Sequence, residues 1–94
     1  MENKKDWYGS KELEFAIFCI ENIAIKLNIS GQDVYKMLTE ETNILNDYII
    51  PCYEVLHTQD KNYIVNDIIG LMNEKGVKVW FYTMVLMLLL INLI

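Results

Sequence analysis

From Tyr48 to Thr58 the chain reads YIIPCYEVLHT, a stretch that holds two tyrosines, the single proline, one of two cysteines and the only histidine. His57 is of the type that serves as a general base or a metal ligand, and Cys52 is the nearest nucleophile type. Five residues apart, they do not share a helix face. Cys19 and Cys52 match the spacing of neither a zinc knuckle nor a redox pair, so both are expected to be reduced and buried as small hydrophobes. Serine, aspartate and glutamate form no hydrolytic constellation with His57. The stretch therefore assembles no nucleophile, metal cage or phosphate loop, and neither an enzyme nor a cofactor or metal site is expected. It does carry aromatic rings with polar tips, which binding surfaces use. Tyr48, Tyr53, His57, Thr58 and Tyr63 are accordingly the expected partner-binding face. The competing reading is structural: His57 closes a helix, Thr58 and Asp60 cap the next one, and the tyrosine rings bury with their hydroxyls at the rim.

The elements that must position these groups are helical. Ser10 suits an N-cap, and Trp7 and Tyr8 could staple the helix start it opens. From Lys11 to Asn28, Leu13, Ala16, Ile17, Ile20, Ile23, Ala24 and Leu27 recur at helical spacing and define the expected core face. Phe15, Phe18 and Ile25 then form a second apolar ridge among Glu14, Glu21 and Asn22, an alternative interface. Ser30, with Asp33 three residues on, opens a short helix through Leu38 that ends near Glu40 and Glu41. Thr42 or Asn43 caps a further turn or two through Tyr48. Pro51 predicts a break at Ile50 and a new helix from Pro51 to about Leu56. Asp60 caps a last amphipathic helix with Ile64, Val65, Ile68, Ile69, Leu71 and Met72 on one face, Asn62, Asn66, Asp67, Asn73 and Glu74 on the other, and Gly76 as its stop. The fold class expected is all-α: a bundle of four or five helices over residues 11–77, preceded by an arm over 1–10 and followed by a hydrophobic tail over 78–94.

A unit this short buries roughly 60% of its unfolded surface, so it leans on a partner or on self-association into a homo-oligomer. The formal charge is −5, from eight basic and thirteen acidic residues, which opposes contact with phosphate backbones. Ala24, Leu27, Ile29, Val34 and Leu38 do have helix-turn-helix spacing, and a DNA-binding regulator is the rival reading. Its recognition helix, however, would set Asp33, Glu40 and Glu41 against a lone Lys36, so nucleic acid is not the expected partner. No signal-like apolar segment opens the chain, and a cytoplasmic domain is expected.

Val79 to Ile94 carries no charge. As a helix it would span about 24 Å and be hydrophobic all round, since Thr83 and Asn92 point to opposite sides. Trp80, Phe81 and Tyr82 stand at its charged end beside Lys75 and Lys78, the arrangement of an aromatic belt with a positive cytoplasmic flank. A tail anchor holding the domain to the inner membrane face is the expectation; packing of the tail on the domain or in an oligomer is the alternative.

Ile20 to Asn22 (IEN), YIIPCYEVLHT and Tyr63 to Ile69 (YIVNDII) together resemble a family of short bacterial proteins, domain-of-unknown-function family 3791. The likeness runs from about Glu12 to Val77, and the hydrophobic tail departs from it. The resemblance implies an accessory or antitoxin-like protein, because members are often encoded beside a larger ADP-ribosyltransferase-like protein. A protein partner, the product of an adjacent gene, is expected on that ground. No active site comes with the family.

Overall fold

The computed structural model describes residues 10–77 and 87–92. The N-terminal arm with Trp7 and Tyr8, and most of the tail helix expected over 79–94, lie outside the described residues. Over residues 10–77, α1 (Lys11–Leu27) and α2 (Gly31–Lys36) are followed by two π-helical segments, π1 (Met37–Glu41) and π2 (Leu45–Ile49), and these by α3 (Tyr53–Leu56) and α4 (Lys61–Glu74); the domain is all-α. Helix α1 packs against α2 and α4, and π1 packs against π2.

Local chemistry sets the helix ends. The Ser10 hydroxyl accepts from the Leu13 amide and that of Ser30 from the Asp33 amide, while the Asp60 carboxylate accepts from the Asn62 amide. Each satisfies one of the orphan donors at a helix start. Helix α1 ends on Asn28 in the left-handed region, φ 58°, with the Ile29 amide donating to Ala24 and the Asn28 amide to Ile25. Helix α4 ends in the same way on Gly76, φ 98°, with Val77 donating to Met72 and Gly76 to Asn73. Both are Schellman ends, in which the amide two positions past the helix closes back on a carbonyl of its last turn.

The core of α1 is Phe15, Ala16, Cys19, Ile23 and Leu27. This corrects the face expected from periodicity by a rotation of roughly 70°. Ile17, placed inside by the spacing, is 45% exposed, and Leu13 is only half-buried. Phe15, placed on an outer ridge, is core; Phe18 is half-buried and Ile25 is 77% exposed. Against this face close Val34 from α2, Met37 and Leu38 from π1, Leu45 and Ile49 from π2, Leu56 from α3, and Ile64, Val65, Ile68 and Met72 from α4.

The segment read as one helix from Ser30 towards Glu41 widens after Lys36 into π1, and the next widens into π2. The Ile50 amide reaches back five residues to the Leu45 carbonyl. Ile44 and Ile49, also five apart, are both fully buried, which a five-residue repeat achieves and an ideal α-helix does not. Thr42 stands between the two segments, donating its hydroxyl to the Met37 carbonyl and accepting from the Ile44 amide. Pro51 lies in a turn over Ile50–Cys52 rather than at the first position of a helix, and α3 starts at Tyr53. The coil is carried through that turn by Cys52 donating to Tyr48 and Tyr53 donating to Ile50. Residues 87–92 are helical and exposed. Among the described residues no helix is long and apolar enough to cross a membrane.

Candidate binding surface

Helix α3 is barely one turn long, and its first residue and its C-cap carry the aromatic pair. Tyr53 and His57 are four apart, so their side chains rise on the same side of the turn. Their rings stack with centroids 4.4 Å apart and planes 9° apart. Phe15 of α1 meets Tyr53 edge-to-face at 5.6 Å and 72°, and Phe18 stacks on Phe15 at 6.1 Å and 18°. The row thus runs from the core at Phe15 through half-buried Tyr53 to exposed His57. Aromatic pairs in these geometries gain about 0.5–1.5 kcal/mol beyond the area they bury, so the outermost rings are held in place before any partner arrives. A shallow groove of about 430 Å³ beside them is lined by Lys11, Glu14, Phe15, Tyr53 and His57.

The other expected residues fall elsewhere on the same junction. The Tyr48 hydroxyl donates to the Asp67 carboxylate at 2.6 Å, tying π2 to α4. That bond raises the Tyr48 phenol well above its ordinary range, because the carboxylate holds its proton; partial burial and the Asp67 charge act in the same direction. Asp67 was expected on the solvated face of its helix, but it is half-buried and engaged. Tyr63, 55% exposed, lies one turn before it on α4. The Thr58 hydroxyl donates to the Val55 carbonyl at 2.8 Å and so satisfies an open end of α3 rather than the start of α4. The sequence places Tyr53 and His57 within one set of five residues, but it does not show their stacking, Phe15 as their support, or Lys11 and Glu14 beside them. Phe15, Lys11 and Glu14 come from a distant helix, and no local pattern points to them.

Both cysteines are free; Cys19 is fully buried and Cys52 half-buried. Burial pushes the Cys19 thiol up from 9.0 to about 12, because its thiolate would lose solvent. An unfolded thiol ionises near the lower value while the folded one keeps its proton, so within that window the unfolded state binds fewer protons. Stability is intact below the window and falls as pH rises through it, by about 1.4 kcal/mol per pH unit. Tyr48 adds to the same trend. Chemical denaturation at about pH 9 and about pH 11 is expected to show this slope, flattened in Cys19→Ala; an unchanged slope in that variant would assign the alkaline loss to other groups.

Among the described residues no group of three or more His, Cys, Asp or Glu is placed to hold a metal ion. A capped, cysteine-reduced all-α domain with an aromatic row leading out of its core belongs to the class of small helical proteins. The chain is a member of the family described as protein of unknown function (DUF3791), whose model matches residues 14–75. The match runs from Glu14 on α1 to the end of α4 and takes in all three ring pairs. No curated protein and no solved structure matches the chain.

Proposed function

We propose that this protein is a protein-binding module whose contact surface centres on Tyr53 and His57. The observation that carries this reading is the Tyr53–His57 stack, which is ordered from beneath by Phe15 yet leaves His57 in solvent, where the core gains little from it. Rigid aromatic groups with polar tips lose little entropy on binding and are the side chains that dominate interfaces. The partner we assign is the adjacent, ADP-ribosyltransferase-like gene product that the family resemblance implies, with this chain as its accessory or antitoxin-like subunit. Co-expression with that neighbour, followed by affinity capture and gel filtration, tests the reading. Co-elution of the two chains is expected; separate elution at micromolar concentration would remove the assignment.

A second reading concerns the tail, favoured by the exposure of every residue over 87–92 within an uncharged apolar run. We propose that this run rests on lipid and holds the domain at a membrane surface. A packing helix would keep a polar stripe for solvent, and this run has none. Full-length protein is expected to sediment with membranes and to need detergent for extraction, whereas a chain ending at Lys78 stays in the supernatant. Equal partitioning of both forms would instead favour packing of the tail on protein.

A further inference from the structure

Resting on the partner-binding reading above, we infer that the groove beside Tyr53 and His57 receives an arginine side chain of the protein partner. Aromatic ring faces carry negative potential and attract cations. Here Tyr53 and His57 cover each other's inner faces, so the stack offers its outer face at exposed His57 as the platform, and the Glu14 carboxylate lines the same groove. A guanidinium is planar, so it can lie on that face while its N–H groups reach a carboxylate at the side. The compact, strongly hydrated ammonium of lysine gains less from a flat surface. Exposed Glu54 on α3 and the chain's net charge of −5 add attraction for a basic partner. Lys11 is the opposing charge in the lining, and a hydrated ammonium on a long flexible stem can swing away as the arginine enters.

The two charges in the groove give the inference a sign. The full chain is titrated with Nα-acetyl-arginine amide, with the corresponding lysine, citrulline and glutamate derivatives in parallel, and binding is read from the NMR shifts of the Tyr53 and His57 ring protons. Arginine is expected to give saturable shifts with a Kd on the order of millimolar, and lysine a several-fold weaker one. Citrulline, of nearly the same shape but uncharged, should give none. Glu14→Gln should weaken the arginine probe about threefold and Lys11→Ala should strengthen it about twofold, the range of an exposed charge pair. Both substitutions lie on the first turn of α1 at exposed positions, so the fold is kept. Equal binding of citrulline, preference for glutamate, or reversed signs in the two variants each overturns the inference. Capture of the neighbouring gene product by a chain that ignores the arginine probe would overturn the guanidinium assignment and leave the binding module standing; arginine binding without capture would do the opposite.

Discussion

Ile23→Ala is expected to lower the stability of the domain by about 2–5 kcal/mol, while Ile17→Ala, at a position nearly as apolar in its sequence surroundings, changes it by less than about 1 kcal/mol. Ile23 is fully buried on α1, the helix that packs against α2 and α4, so truncation leaves a cavity in the core. A domain of this length is held by only a few kcal/mol, so the Ile23 variant should be substantially unfolded at 25 °C. Ile17 loses little burial, and alanine is the better helix former, which offsets part of that loss. Denaturation in urea decides between the two faces, provided the m-value stays constant across the variants. If Ile17→Ala costs as much as Ile23→Ala, the face expected from periodicity is the buried one and the rotated face is wrong.

That comparison shows why parts of the fold were legible and others were not. Ser10, Ser30, Asp60 and Gly76 act on groups within five residues of themselves, through a capping oxygen or a left-handed backbone, so the helix ends could be placed from sequence. Helix α4 could be oriented because its asparagines and acids leave one apolar stripe. Helix α1 could not, because Leu13, Phe15, Ala16, Ile17, Phe18, Cys19 and Ile20 cover most of its circumference and the period alone fits more than one face. What selects the face is tertiary: Phe15 turns inward because Tyr53 meets it from α3. The π segments are invisible for a related reason. Their mark is a five-residue recurrence of buried positions, Ile44 and Ile49, in a stretch where shorter helical spacings are also present. Within the binding surface, Tyr53 and His57 pair by local helical geometry, whereas the Tyr48 bond to Asp67 joins two helical segments and follows from no pattern in either.

The same division separates four of the five expected surface residues into two groups with opposite experimental signatures. His57→Ala is expected to weaken binding to the neighbouring gene product by 2 kcal/mol or more, roughly thirtyfold, with the melting temperature nearly unchanged. Its side chain is exposed, and the helix end it caps is closed by its backbone amide donating to Tyr53 and Val55, which alanine retains. Tyr53→Ala should lose as much affinity, together with some stability, because its ring also packs on Phe15. Tyr48→Phe and Thr58→Ala should behave in the reverse way. The first removes a hydrogen bond to a carboxylate and leaves half-buried Asp67 without that donor; the second removes the hydroxyl donor to the Val55 carbonyl, which keeps the Thr58 backbone amide. Each should lower stability by about 0.5–2 kcal/mol, the phenylalanine variant more, and affect affinity only as far as the folded fraction falls. Calorimetric affinity and thermal unfolding measured on all four variants separate the groups, because binding energy and folding energy then move independently. Should affinity track melting temperature across the whole set, His57 included, the row of rings is internal support and the interface belongs on the exposed flank of α1, where Phe18 and Ile25 leave apolar surface in solvent.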